Sequence, residues 1–166
     1  MKVHELRQLT FFDGINLIDL QRLAPCFAPR FFGAGTTIFD QGDEASFLYL
    51  VAKGEVLIRY KPEDGPVMTV THVQAGGVFG WSAAMGNRVY TSGAVSTTDC
   101  EVWCIRGIQL RKLCDNNPQV GSVILDRLAA VVAERQRHRQ GDVTSILTSG
   151  IRSQDGRQGE CKDDKY

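Results

Sequence analysis

The sequence predicts a mainly β domain with flanking helices, in which an all-β barrel or double sheet is followed by a long C-terminal helix. Short apolar runs separated by Gly, Pro and Asp fill residues 26–106, a pattern typical of an all-β barrel or double sheet. On both sides of this region the apolar residues recur with helical spacing. The chain has 166 residues, of which 43% are hydrophobic, and this suffices for one domain with a core.

Residues 1–25 are predicted to form an N-terminal helical segment. A leucine stands at every third position from Leu17 to Leu23, and Asn16 has the spacing of a capping residue for Asp19. Pro25 is expected to end this helix because proline lacks the N–H that the next turn needs.

Residues 26–106 are predicted to form the β part of the domain. The clearest strand runs are TTIF, FLYLVAK, EVLIRYK, VMTVTHV and CEVWCI. Turns are expected at Gly42-Asp43 and at Lys53-Gly54. The segment KPEDGP is predicted to be a hairpin tip, because Asp64-Gly65 tolerates the positive φ of tight hairpin turns.

Residues 107–140 are predicted to form two helices. The first contains IQLRKLC and ends at Asp115–Pro118, and the second begins at Pro118 with Asn117 as its cap and runs to about Gln140. The apolar stripe of the second helix is wide enough for two partners, the roll and another helix. A helix that packs only on its own domain is the alternative. The stripe comprises Val120, Val123, Ile124, Leu125, Leu128, Val131 and Val132.

Residues 141–166 are almost wholly polar apart from Ile146-Leu147, so we expect this tail to be disordered. Too few residues follow Gln140 to supply a helix-turn-helix pattern. Lys+Arg and Asp+Glu both number 19, whereas nucleic-acid-binding proteins usually carry a basic surplus. We therefore expect no direct DNA binding.

The composition indicates a cytoplasmic protein. The N-terminus lacks the apolar run of a signal peptide, and no stretch approaches the roughly 18 apolar residues of a membrane span. The five cysteines are an odd number and nothing marks the chain as secreted, so free thiols are favoured over disulfides. Cys100 and Cys104 would lie about 13 Å apart on one strand, so small core residues are the simpler interpretation. The cysteines are Cys26, Cys100, Cys104, Cys114 and Cys161.

No enzyme site is indicated. The three histidines, His4, His72 and His138, are too dispersed to supply two metal ligands at short spacing. Neither a Ser-His-Asp arrangement nor paired carboxylates can be identified, so we expect no catalytic residue, no metal and no cofactor. A role for His72 as an axial haem ligand remains an alternative to simple packing.

The segment from Phe79 to Ala84 is the candidate ligand site. It reads as the end of a strand, a glycine, and small residues that begin a short helix. Free N–H groups at a helix start attract anions, phosphate above all, and small side chains let a ligand approach the backbone. The segment therefore predicts an anion site.

The order of elements resembles the cyclic nucleotide-binding domain, which is the sensor half of catabolite-activator (CRP/FNR-like) regulators and a module of cyclic-nucleotide-gated kinases and channels. The resemblance covers residues 10–140. It implies that residues 26–106 form a ligand-binding β-roll of eight strands, which is a jelly roll or double-stranded β-helix. It also implies cAMP or cGMP as ligand and a dimer formed through the C-terminal helix. The segments that carry it are GAGTTIFDQGDEASFLYLVAKGEVLIRY, AGGVFGWSAA and STTDCEVWCI.

In that family a phosphate-binding cassette contains a glutamate that holds the ribose hydroxyl and an arginine that pairs with the cyclic phosphate. Here Trp81 stands at the glutamate position and Tyr90 at the arginine position. Arg88 precedes Tyr90 by two residues and is a candidate replacement; a solvated loop residue is the alternative. Trp81 is expected either to stack on a ring or to fill the ribose space. The implied ligand-binding residues are Phe79, Gly80, Trp81, Ser82, Ala83, Ala84, Arg88, Tyr90, Thr91 and Ser92.

The leading interpretation is a regulatory module that binds a cyclic nucleotide or related small anion and signals through its C-terminal helix. The alternative is a degenerate domain that binds no nucleotide and serves for dimerisation or docking. The implied dimer residues on the last helix are Ile124, Leu125, Leu128, Val131 and Val132.

Overall fold

Eight antiparallel strands form two four-stranded sheets, which are flanked by helices at both ends of the chain. The structure, a computed structural model, describes residues 2–133. The predicted fold class is confirmed. The strands are β1 Ala28–Phe32, β2 Thr37–Phe39, β3 Phe47–Lys53, β4 Glu55–Tyr60, β5 Met68–Gln74, β6 Val78–Phe79, β7 Gly93–Ser96 and β8 Cys100–Arg106. The helices are α1 Val3–Arg7, α2 Leu17–Leu23, α3 Gly107–Asn116 and α4, which is described over residues 118–133.

The strand order is β1-β8-β3-β6 in one sheet and β2-β7-β4-β5 in the other. The turn predicted at Lys53-Gly54 is present, but it carries the chain from the first sheet to the second instead of closing a hairpin. Gly54 has a φ of +89°, and a Cβ there would lie 2.4 Å from the Asp99 carbonyl oxygen. Glycine is therefore required at this crossing.

The first sheet separates two hydrophobic cores. Along β3, Tyr49 and Val51 face the roll interior, whereas Leu48 and Leu50 face the helices. This alternation follows from the two-residue period of a strand. The roll core includes Phe39, Val56, Ile58, Phe79, Tyr90, Cys100, Val102 and Cys104. The helical core includes Leu6, Phe12, Leu20, Leu23, Ile105, Leu110, Ile124 and Leu128.

The predicted cap of α2 is present, and it also reaches α4. The Asp19 backbone N–H donates to Asn16 Oδ1 at 3.0 Å, and the carboxylate of Asp19 accepts from Asn16 Nδ2 at 2.7 Å. Asn117 Nδ2 donates to the other Asp19 oxygen at 2.6 Å. Asp19 is buried, so this contact joins the N-terminal helices to the start of α4.

Two strands and one turn differ from what the sequence pattern predicts. β1 and β7 were not predicted as separate strands, because β1 is almost wholly exposed and β7 has only four residues. β4 and β5 do form the predicted hairpin, but Gly65 does not have a positive φ. The connection spans residues 61–67, which is long enough to reverse the chain without a two-residue turn.

α3 ends and α4 begins near the predicted residues. α3 ends at Asn116, and the Gly121 N–H donates to the Asn117 carbonyl at 3.0 Å as α4 begins. The predicted extension to Gln140, the polar tail 141–166, His138 and Cys161 lie outside the described residues. Within residues 2–133, no helix is long and apolar enough to cross a membrane.

Candidate functional site

The cassette begins where β6 packs directly on β3. Phe79 is fully buried, and Gly80 has a φ of +74°. A Cβ on Gly80 would lie 2.8 Å from the Phe47 carbonyl oxygen and 3.0 Å from the Tyr49 ring. The glycine is thus needed both for its backbone conformation and for the close approach of the two strands.

The short helix predicted to start at Ser82 is absent, and residues 81–86 instead form consecutive hydrogen-bonded turns. The Met85 N–H donates to Trp81 O at 3.0 Å, and the Asn87 N–H donates to Ser82 O at 2.9 Å. Gly86, with a φ of +80°, ends the run before a helix can develop. The amide groups of Met85 and Asn87 therefore bond within the turn.

The turn at residues 81–86, which we call the cassette turn, packs tightly against the start of α3. Ser82, Ala83 and Ala84 are all buried. Arg111 Nη1 of α3 donates a hydrogen bond to the Ala83 carbonyl. A Cβ on Gly107 would lie 2.1 Å from that same carbonyl oxygen, so only glycine permits this contact. The cassette and the C-terminal helices therefore meet through direct backbone contact.

Tyr90, at the position that the resemblance assigns to an arginine, is a core residue with only 3% of its surface exposed. Its hydroxyl donates to the Phe47 carbonyl at 2.8 Å and accepts from the Phe47 N–H at 2.9 Å. Its ring is stacked on Phe39, with centroids 3.7 Å apart. Tyr90 therefore ties the cassette segment to the first residue of β3.

The roll interior beside Tyr90 is filled with stacked aromatic rings. Tyr49 and Phe79 are nearly parallel at 4.9 Å, and Phe39 lies 5.8 Å from Tyr49 and 6.0 Å from Phe79. Burial raises the pKa of Tyr49 far above its usual value and also raises the pKa of Tyr90. Both phenols are therefore neutral hydrogen-bonding groups at physiological pH.

The raised pKa of Tyr49 predicts that this residue does not ionise near pH 10 in the folded protein. Because the unfolded chain ionises more readily, the stabilising contribution of the neutral phenol is complete below pH 10 and is lost above it. In an ultraviolet titration, Tyr49→Phe should leave the absorbance step near pH 10 unchanged in folded protein and reduce it in urea. A smaller step in the folded variant would contradict the prediction.

The remaining predicted ligand residues do not converge on the roll interior. Trp81 is half-buried and packs against the helical core, so it does not enter the aromatic stack. Thr91 is exposed and Ser92 is half-buried. Arg88 is exposed, and its carbonyl accepts from the Ala45 N–H at 3.0 Å. The structure thus brings together Phe79, Gly80 and Tyr90, but not Arg88.

Two arginines near the site were not predicted. Arg30 Cζ lies 4.8 Å from the centroid of the Phe47 ring, and Arg106 Cζ lies 5.6 Å from it. Arg106 is the cross-strand neighbour of Phe47, and Arg30 belongs to β1. Their proximity depends on strand register, which the sequence pattern alone does not supply.

The histidine and cysteine residues lie elsewhere. His72 Nδ1 is 2.8 Å from Glu55 Oε1, and this contact lowers the pKa of the glutamate. His72 is more than half exposed, so it is not an axial ligand inside the roll. Cys100 and Cys104 are free and buried, as predicted for core residues. Among residues 2–133, no three His, Cys, Asp or Glu side chains form a metal-binding group.

Comparison with known proteins places these features in a family. The family model described as the cyclic nucleotide-binding domain matches residues 29–117. The cAMP-activated global transcriptional regulator CRP of Haemophilus influenzae is 32% identical over 116 residues, which cover 69% of this chain and 50% of that protein. This chain spans about half the length of the curated relatives it matches.

Two crystal structures share the fold. One, from Geobacter metallireducens, bears the name of a cyclic nucleotide-binding protein; it is 30% identical with a TM-score of 0.73, and the match covers 82% of this chain and 98% of that one. The other is the catabolite activator protein of Thermus thermophilus, which is 27% identical with a TM-score of 0.66. That match covers 84% of this chain and 62% of the activator.

Proposed function

The chain belongs to the cyclic nucleotide-binding domain family, and from this premise we propose that it is a regulatory module without catalytic activity. In this proposal the β-roll senses a small anionic effector, and the C-terminal helices transmit the signal. The relatives named above are regulators, which supports a regulatory role over an enzymatic one.

The observation that carries the proposal is the contact between the cassette turn and α3. Gly107 and Arg111 both meet the Ala83 carbonyl. A displacement of the turn by a ligand would therefore act directly on the start of α3. Such coupling of a ligand site to a helix is the physical requirement of a two-state switch.

A cyclic nucleotide is the first effector to test. A curated relative is named as cAMP-activated, and Phe79 and Gly80 retain the strand end of the cassette. The arginine and glutamate of the family cassette are absent. The loss of an arginine–phosphate pair alone would weaken binding by about 1.5–3 kcal/mol.

A degenerate domain that binds no nucleotide is the second candidate. The observation that favours it is Tyr90, which occupies the arginine position as a buried residue bonded to Phe47. In this case the module would serve for dimerisation or docking. In either case we propose that the protein lies in the cytoplasm and does not bind DNA directly.

We propose that a homodimer forms through α4. Ile124 and Leu128 already lie in the helical core of their own chain, so the pairing surface would be centred on Leu125, which is 56% exposed. Leu125 borders an apolar groove of about 480 Å³ together with the exposed residues Met85 and Ile108. Val131 and Val132 are half-buried and would extend this surface.

Calorimetric titration with cAMP and with cGMP tests the proposed function. We expect micromolar binding of at least one nucleotide, and we expect Arg88→Ala to retain it because Arg88 is exposed and outside the aromatic stack. A collapse of binding in Arg88→Ala would instead make Arg88 the replacement for the missing arginine. Silence for both nucleotides, with a folded dimer by light scattering, would favour the degenerate domain.

A further inference from the structure

Two arginines contact one aromatic ring, that of Phe47 at the start of β3. Arg30 and Arg106 both place their guanidinium carbons within 5.6 Å of the Phe47 ring centroid. A guanidinium over a ring is a favourable contact. Two like charges on the same ring nevertheless repel each other, and this repulsion reduces the stabilisation that each guanidinium–ring contact provides.

Both side chains belong to the interior face of the first sheet. Arg30 pairs with Val102 and Arg106 pairs with Phe47, and directly opposite residues of antiparallel strands project to the same side. Val102 is fully buried and Phe47 packs against the roll core. The two guanidinium groups therefore lie on the roll face of the first sheet, and we call them together with the Phe47 ring the rim.

Neither guanidinium is neutralised by an acidic partner. Across the described part of the chain, no carboxylate oxygen lies within 4.0 Å of a side-chain nitrogen of Arg30 or Arg106. The positive charge of Arg30 is felt by two neighbours, since it lowers the pKa values of Tyr49 and Cys104 against the larger effect of burial. Both arginine side chains are exposed, so a soluble anion can reach them.

The rim lies directly beside the point where the cassette ends. Tyr90 hydrogen-bonds to the backbone of Phe47, and the Phe47 ring carries the two guanidinium groups. Phe47 therefore contacts both Tyr90, which replaces the cassette arginine, and two positively charged side chains. These charges come from β1 and β8. The aromatic stack below closes the interior, so a charged group would be held at the rim.

We propose that Arg30 and Arg106 form an anion-binding site for a phosphate group, carried by inorganic phosphate or by a small organic phosphate. Planar guanidinium groups bind phosphate oxygens in a forked geometry, and an anion that contacts both would offset their mutual repulsion. This inference rests on the proposed function, because it names the residues that would hold the anionic effector.

Calorimetry at low salt with inorganic phosphate, cAMP and adenosine tests the site. Arg30→Gln and Arg106→Gln should each weaken phosphate and cAMP binding by about tenfold or more, the loss expected for a charge-assisted pair. Arg7→Gln removes the same charge from an exposed position on α1 and should leave both affinities unchanged. Adenosine lacks the phosphate and should not bind measurably.

The outcomes separate this inference from the proposed function. Binding of cAMP that persists in both rim variants would overturn the site and leave nucleotide sensing intact. Arginine-dependent binding of phosphate without cAMP binding would support the site and count against a nucleotide effector. The absence of binding by either anion would overturn both. Urea unfolding of each variant verifies that the exposed substitutions leave the fold unchanged.

Discussion

Replacing Gly107 by alanine should lower the free energy of unfolding by about 3 kcal/mol, because the added methyl group meets backbone that cannot rotate away. The new Cβ would lie 2.1 Å from the Ala83 carbonyl oxygen and 2.5 Å from its carbonyl carbon. Either the cassette turn or the start of α3 must therefore move. The hydrogen bond from Arg111 to the same carbonyl should weaken with it.

Urea denaturation followed by tryptophan fluorescence measures this effect, with Gly33→Ala as the matched control. A Cβ on Gly33 would have no neighbour closer than 3.8 Å, so its stability should change by less than about 0.5 kcal/mol. The melting temperature of Gly107→Ala should fall by about 6–12 °C in a chain of this size. Equal stability of the two variants would refute the tight contact between cassette and α3.

Removing the hydroxyl of Tyr90 should destabilise the fold by about 2 kcal/mol or more. The hydroxyl satisfies both the N–H and the carbonyl of Phe47, and Tyr90→Phe leaves two backbone groups without this partner in a half-buried setting. The cost of an unsatisfied buried polar group is about 1–3 kcal/mol. The ring itself is retained, so its stacking on Phe39 should survive.

The control for Tyr90→Phe is the removal of a hydroxyl that bonds weakly at the surface. The Thr71 hydroxyl makes an exposed contact of 3.4 Å, so Thr71→Val should change stability by less than about 0.5 kcal/mol. Unfolding curves with equal slopes would show that the two variants differ in stability alone. A Tyr90→Phe protein as stable as the parent would mean that water replaces the hydroxyl.

Local patterns were sufficient to predict the helices and most strands. The cap formed by Asn16 and the break at Asn117-Pro118 depend on residues within four positions of each other, so the sequence contains all the necessary information. β1 has no alternating pattern because nearly all of it is exposed. Its presence depends on pairing with β8, some 70 residues later in the chain.

The candidate site was predicted only in outline. The resemblance marks Trp81 and Tyr90 as substitutions, but it does not say where their side chains lie. Tyr90 turns inward because its partner is the backbone of Phe47, which is 43 residues away in sequence. Arg30 meets Phe47 only because β1, β8 and β3 pair in a defined register. Such contacts are non-local, so spacing alone cannot reveal them.

The alternation along β3 restricts how the length of this chain can change. Each residue there serves one of two cores, so inserting a single residue would send Leu48 and Leu50 into the roll and Tyr49 and Val51 toward the helices. Insertions and deletions should therefore be rejected in β3 yet accepted in the connection at 61–67, where no such alternation applies. In a library of single-residue insertions, variants with an insertion in β3 should fail to fold, whereas variants with an insertion at 61–67 should fold.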